Sequence, residues 1–190
     1  MMQQKDGKVV IRLARPQDSD KLVQLQLDSI KTLSVQDYSP SQLQALLESK
    51  SCPRPWDETI LVAELDDRQI AGFASLLKGL NVIGAVFVHP NFIRRGIGTK
   101  LLKSVEKKAI QNKMKILWVC SSLNAHAFYL ANGYKTIQKV NISHNFLVPI
   151  PCIQMKKSLS DLTHKKQKIE FLYKLFIWFV VTILFICIFL

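Results

Sequence analysis

The sequence predicts one α+β (α/β) domain, a mixed and mostly antiparallel central sheet flanked by helices, followed by a C-terminal hydrophobic helix. Three observations lead there. Strand-like and helix-like patterns alternate through residues 1–157, with no internal repeat and no low-complexity segment. Two apolar runs meet at Asp66-Asp67 as a hairpin would. A further apolar run ends in Gly96-Ile97-Gly98 and passes directly into a leucine-rich amphipathic stretch, as where a strand hands over to a helix.

Each element follows from local pattern. KVVIRLAR (8–15) sets Val9, Ile11 and Leu13 against polar neighbours, the alternation of a strand. Pro16 then opens a helix through DSDKLVQLQLDSI, with Leu22, Leu25 and Ile30 at roughly helical spacing. SPSQLQALLES (39–49) is a second helix: Ser39 fits the N-cap, Pro40 the first helical position, and Leu43, Leu46 and Leu47 share a face. CPRPW (52–56) reads as an irregular loop, and TILVAEL (59–65) with QIAGFASLL (69–77) as the hairpin. NVIGAVFVHP (81–90) is apolar throughout, as a central strand buried on both faces would be. Ile97, Leu101, Leu102, Val105 and Ala109 then form a helical stripe, with Lys100, Lys103, Lys107 and Lys108 on the other faces. KILWVCS (115–121) reads as another buried strand, and AHAFYLAN (125–132) as a short helix stopped at Gly133. YKTIQKVNI and LVPIPCIQMKK supply two last strands, the final one interrupted by prolines.

The chain has 190 residues and a net charge of +12, which favours an anionic partner such as a nucleotide, a nucleic acid or a membrane surface. Cys52, Cys120, Cys152 and Cys187 lie far apart without a CxxC pair, which argues against a zinc site and a disulfide framework and fits a reducing compartment. MMQQKDGKVV has no apolar core of a signal peptide. Residues 171–190, FLYKLFIWFVVTILFICIFL, carry Lys174 as their one charge, and as a helix they would span about 30 Å, the thickness of a bilayer's hydrocarbon. A buried core helix is the alternative, but a core helix keeps a polar face and this run has none. Lys165, Lys166 and Lys168 precede it, and Tyr173 and Trp178 suit the interface, so the expectation is a single-pass C-terminal anchor with the preceding domain on the cytoplasmic side. The implied organisation is a domain over 1–157, a basic linker over 158–170 and a transmembrane helix over 171–190. Residues 158–190 hold four Lys/Arg and two Asp/Glu, so residues 1–157 keep a net charge of +10 and the domain itself is basic. Charge alone points to nucleic acid, but no aromatics interleave the basic residues, and nucleic acid is set aside.

A strand that ends in glycines and feeds a helix builds an anion site. The first helix amides have no intrahelical acceptor, and the helix dipole adds partial positive charge there. Glycine lets backbone approach a phosphate, and Arg94 and Arg95 add full charges. Taken alone, Gly-x-Gly more often makes only a tight turn beside solvated arginines. It is not the dinucleotide fingerprint, because Leu101 stands where the third glycine belongs, nor does it match a Walker loop. The context decides: strand, V-x-P (Val88 to Pro90), two arginines, GIG and a leucine-rich helix resemble the acetyl-CoA-binding motif of the Gcn5-related N-acetyltransferase (GNAT) superfamily. SSLNAHAFYLANGY (121–134) is similar to that family's downstream motif, A-x-x-F-Y-x-x-x-G-(F/Y). The resemblance runs from IRLARPQD to CIQMKKSL.

The resemblance implies an acetyl-CoA-dependent N-acetyltransferase that uses no metal and acts on an amine of a small molecule, peptide or protein, and the C-terminal apolar run adds the expectation of a membrane tether. It implies that backbone amides from Arg94 through Thr99 (Arg94, Arg95, Gly96, Ile97, Gly98 and Thr99) grip the coenzyme A pyrophosphate, and that the pantetheine arm runs along Val86, Phe87 and Val88 like an added strand. An amide of Val88 or Phe87 would meet the oxyanion of the transfer step, and Tyr129 would protonate the leaving thiolate. Three departures bear on this. Ile93 stands where the family usually has Arg or Gln, Ser122 holds the place of a frequent Asn (nearby Asn124 is not its equivalent), and NVIGAVFV and KILWVC lack the common carboxylate base. Any base then acts through water or comes from outside these strands, unless the amine arrives neutral. A catalytically weak coenzyme A-binding regulatory module is the alternative function that Ser122 and the missing carboxylate would permit. His89 is expected at a variable turn position and His126 on an outward helix face. The acceptor pocket is expected near residues 30–56, and neither the acceptor nor an oligomeric state has a sequence signature.

Overall fold

The computed structural model of the chain describes residues 8–49, 58–142 and 148–159. The CPRPW loop, nearly all of the 158–170 linker and the 171–190 segment lie outside the described residues. No helix among the described residues is long and apolar enough to cross a membrane.

Seven strands form one sheet, β1 (Val10–Leu13), β2 (Glu58–Glu64), β3 (Ile70–Leu77), β4 (Val82–Val88), β5 (Ile116–Ser121), β6 (Lys135–Ile142) and β7 (Ile150–Ser158), in the order β1-β2-β3-β4-β5-β7-β6. Four α-helices flank them: α1 (Ser19–Leu33), α2 (Pro40–Ser49), α3 (Ile97–Gln111) and α4 (His126–Ala131). The pairs β1–β2, β2–β3, β3–β4 and β6–β7 are antiparallel, and β4–β5 is parallel. This is the expected mixed, mostly antiparallel α+β sheet.

Pro16 opens a short 3₁₀ turn, Pro16–Asp18, before α1 begins, so the helix starts later than its proline suggested. Asp18 explains the delay. Its carboxylate accepts from the Arg15 amide at 2.7 Å and from Arg12 Nη1 at 2.8 Å, and Arg12 also bonds Glu64, which pins the strand, the turn and β2 together. The Arg12 guanidinium holds the Asp18 carboxyl below the ordinary carboxylate range. Ser39 caps α2 as expected: its Oγ accepts from the Gln42 amide at 3.3 Å while Gln42 Oε1 accepts from the Ser39 amide at 3.0 Å, a reciprocal capping box.

Helices cover both faces of the sheet. Leu22 and Leu25 of α1 pack on Val62, Phe73 and Ala85. On the other face the α3 stripe Ile97, Leu101, Leu102, Val105 and Ala109 is buried as its spacing predicts. A side chain at Gly72 would lie 2.7 Å from Phe87 O and 3.1 Å from Leu101 Cδ1, so this position admits α3 only as glycine. A salt bridge from Lys157 Nζ to Glu106 Oε1 at 2.8 Å, with a bond from Nζ to Asn132 O at 2.8 Å, ties α3 to β7 and the end of α4.

Three expectations are corrected. β4 is not buried on both faces: Ile83 and Ala85 are buried, whereas Gly84 is exposed and Val86, Phe87 and Val88 are half-buried. β5 likewise buries Leu117, Val119 and Ser121 but exposes Ile116 and Cys120. β4 pairs with β5 only at Val82↔Trp118 and Ile83↔Val119 and the strands then part, which leaves Gly84, Val86, Phe87, Val88 and Cys120 along the opening. The prolines do not interrupt β7. Pro151 is its second residue and stands opposite Asn141, and the pairing with β6 runs on to Lys156.

Candidate active site

The turn between β4 and α3 is built residue by residue. Pro90–Phe92 forms a 3₁₀ turn capped by His89, whose Nδ1 accepts from the Asn91 amide at 3.2 Å, and Phe92 is buried beneath it. Arg94 and Gly96 then take left-handed φ angles of 64° and 73°. A left-handed residue other than glycine is uncommon and tends to be kept where backbone direction matters. The first α-helical bond of α3 runs from the Lys100 amide to Gly96 O at 3.0 Å, and no side chain caps the helix. Its leading amides, on Ile97, Gly98 and Thr99, therefore form an anion site at the positive end of the helix dipole.

A cleft of about 620 Å³ opens between the parted strands and this turn. It brings together Val86, Phe87, Val88, Arg94, Gly96, Ile97, Gly98, Thr99, Ser122 and Tyr129, ten of the eleven residues the sequence singled out. Arg95 is the exception. Its guanidinium lies over the Phe92 ring, 5.4 Å from the centroid, and it does not line the cleft. Arg94→Ala is accordingly expected to weaken acetyl-CoA binding by about five- to thirtyfold, the scale of a charge-assisted hydrogen bond, and Arg95→Ala by less. Titration calorimetry on both variants checks the order, and a larger loss in Arg95→Ala would contradict it.

Gly98 has a second reason to be glycine. A Cβ there would stand 3.3 Å and 3.5 Å from carbons of the Phe128 ring and 3.6 Å from Val88 Cγ2, so the absent side chain keeps α3 close to α4 and β4. Tyr129 is buried at the cleft wall, its ring edge-on to Phe128 at 5.1 Å and to Tyr134 at 5.3 Å. Burial pushes its phenol above the ordinary tyrosine range, so the hydroxyl carries its proton at neutral pH.

Ser122 Oγ lies 2.6 Å from Asn124 Oδ1, and Asn124 Nδ2 donates to Leu33 O at 2.8 Å. Asn124 thus fastens the end of α1 to the loop after β5. His126 pairs with Thr136 Oγ1 at 2.8 Å, a bond between α4 and β6. Among the described residues no three His, Cys, Asp or Glu side chains cluster as metal ligands would.

The sequence reading missed several members of the cleft. Ser29 Oγ donates to Val88 O at 2.9 Å, and the Tyr38 hydroxyl donates to Pro151 O at 3.1 Å while accepting from the Leu123 amide at 3.0 Å. Cys120 and Cys152 both line the cleft, and burial pushes the Cys152 thiol up to about 12. Only Phe128 had a local signal, its place beside Tyr129 in the AHAFYLANGY motif. The others become site residues through contacts between segments dozens of residues apart.

Residues 34–159 match a family model described as an acetyltransferase (GNAT) domain. The curated N-acetyltransferase YafP of Escherichia coli (strain K12), described as uncharacterized, is 25% identical over 138 residues, covering 70% of this chain and 86% of that protein. A solved GCN5-related N-acetyltransferase from Rhodopseudomonas palustris, also described as an aminotransferase of class II, superposes with a TM-score of 0.72 at 32% identity, covering 78% of this chain and 94% of its own. The PaiA N-acetyltransferase of Thermoplasma acidophilum, solved with coenzyme A, shares the fold with a TM-score of 0.61 at 20% identity, covering 80% of this chain and 99% of its own.

Proposed function

Because this chain belongs to the GNAT acetyltransferase family and is by that membership an N-acetyltransferase, we propose that it moves an acetyl group from acetyl-CoA to an amine of a small molecule, peptide or protein while tethered to a membrane. The observation that carries the cofactor reading is the parting of β4 from β5 beyond Ile83–Val119, directly ahead of the open amides of α3. A strand-like amide chain fits the unladdered edge of Val86–Val88, and a phosphate fits the helix end. Acetyl-CoA, as substrate, supplies an activated thioester. The protein's own groups then have separate tasks. Arg94 and the amides of Gly96 through Thr99 anchor the anion, the amide of Phe87 or Val88 meets negative charge on the acetyl oxygen, and Tyr129 holds a proton for the departing sulfur.

Acetyl-CoA turnover followed by free-thiol release, with a panel of amines as acceptors, tests this reading. Binding by calorimetry without any thiol release would favour the coenzyme A-binding regulatory module, which Ser122 and the lack of a carboxylate on β4 and β5 support.

The tether rests on the sequence of residues 171–190, apolar apart from Tyr173, Lys174 and Thr182 and preceded by lysines. The full chain is expected to sediment with membranes and resist high salt and alkaline carbonate, whereas a chain ending near Ser160 is expected in the supernatant. A full chain that is monodisperse without detergent would remove the anchor. The positive flank further proposes the cytoplasmic side for the catalytic domain.

A further inference from the structure

We propose that Cys120 and Cys152 form a redox-active thiol pair in the cleft, closed to a disulfide by a peroxide and shielded while acetyl-CoA occupies the cleft; the shielding, though not the pair, rests on the cofactor reading above. They are the two cysteines among the described residues, and both are free thiols. Cys120 lies on β5 and Cys152 on β7, strands that neighbour each other in the sheet. Alternation puts Trp118 with Cys120 on one face of β5, and Cys152 with Lys156 on one face of β7. That face is shared, because Lys156 Nζ lies over the Trp118 ring, 5.4 Å from its centroid. There the two thiols stand in hydrogen-bonding contact. Neighbouring strands run about 4.8 Å apart, and a disulfide spans roughly 4.4–6.8 Å between Cα atoms, so the bond closes with little backbone movement.

The two thiols differ in access, which assigns their parts. Cys120 is exposed and lines the cleft directly after Val119, where pairing with β4 ends. Its sulfur attacks one oxygen of hydrogen peroxide, the O–O bond breaks, and a sulfenic acid forms on Cys120 as one water leaves. Cys152 is buried, and burial holds its thiol protonated, so it is the poorer target for the oxidant. It nevertheless touches the Cys120 sulfur. Cys152 displaces the sulfenic hydroxyl, which departs with the Cys152 proton as a second water, and the S–S bond forms. Two thiols and one peroxide thus give one disulfide and two waters. The wide spacing of the cysteines fits a reducing compartment, where a disulfide is transient and redox-sensing rather than structural. An arm laid along Val86–Val88 passes the open side of Cys120, since all four residues line the same cleft. An occupied cleft therefore denies the peroxide its approach.

The test uses the full chain in detergent with Cys52→Ser and Cys187→Ser, so that only this pair can close. Treatment with hydrogen peroxide, then denaturation and maleimide labelling, is expected to take the label count from two to none. A non-reducing digest should yield one peptide pair linked through Cys120 and Cys152, and dithiothreitol should restore both labels. Adding Cys152→Ser should leave a sulfenic acid on Cys120 that dimedone traps, whereas adding Cys120→Ser should slow oxidation of Cys152 by about tenfold or more. Saturating acetyl-CoA, its binding established by calorimetry, should slow loss of the labels by about tenfold or more. If the serine background fails to fold, the same digest of the wild-type chain decides. No linked peptide would overturn the pair, as would Cys152 oxidising in Cys120→Ser as fast as in the parent. Linkage at an unchanged rate with acetyl-CoA bound would overturn the shielding. Failure of the wild type to bind acetyl-CoA would instead overturn the cofactor reading, with the pair still judged by linkage in the ligand-free protein.

Discussion

A Gly98→Glu protein is expected to fold and to bind no measurable acetyl-CoA, a loss of more than about 100-fold. Gly98 is the second residue of α3, and its missing Cβ faces the Phe128 ring and Val88 Cγ2 at 3.3–3.6 Å, inside the cleft. A glutamate built there displaces Phe128 and puts a carboxylate beside the open amides of Ile97, Gly98 and Thr99. Those amides then meet the protein's own negative charge, and a phosphate approaching them is repelled. Crowding against Phe128 costs about 1–3 kcal/mol of stability, the usual scale of overpacking, so a melting curve must accompany the calorimetry. Unchanged affinity in a folded Gly98→Glu protein would show that the cofactor lies elsewhere.

Tyr129→Phe is expected to lower kcat by about 10²- to 10⁴-fold, the usual worth of positioned acid catalysis, or about 3–5 kcal/mol of barrier. The change removes one oxygen and keeps the ring, so the edge-on contacts with Phe128 and Tyr134 persist. Acetyl-CoA affinity should stay near normal. Burial raises the phenol's pKa, which secures the proton in the resting protein. A thiolate generated in the same dry wall also has its proton affinity raised, so the donor and its partner remain matched. A variant that keeps more than about a third of wild-type kcat, with chemistry shown to be rate-limiting, would return Tyr129 to a packing role.

Much of this fold is legible in the sequence because its signals are local. Pro40 and Ser39 announce α2, the 97–109 stripe announces α3, and Gly96 is needed for a left-handed turn that any side chain would strain by about 1–2 kcal/mol. What stayed hidden depends on distance in three dimensions. An all-apolar β4 reads as fully buried, and nothing in its own residues tells that its ladder with β5 stops after Ile83. Arg94 and Arg95 are identical in type, so the left-handed φ at Arg94, not the sequence, distinguishes the one lining the cleft from the one stacked on Phe92. Ser29 bonds Val88 O and Tyr38 takes the Leu123 amide across dozens of residues, contacts that no hydropathy pattern shows.

The parting of β4 from β5 also leaves the β5-facing edge of Val86–Val88 unpaired with β5, and on the proposed reading a ligand completes the ladder there. An edge normally lies at the margin of a sheet, where it invites pairing with other chains. Here an edge lies inside the molecule, along the cleft. The β5-facing amides of Val86–Val88 should therefore exchange with deuterium as an edge does in the ligand-free protein, and slow when acetyl-CoA is bound, while amides of β3 paired with β4 should change little. Ligand occupancy becomes a measurable order in the backbone itself. Each turnover would then undo and remake one rung set of the sheet, so the enzyme passes through a less ordered β4 every time coenzyme A leaves.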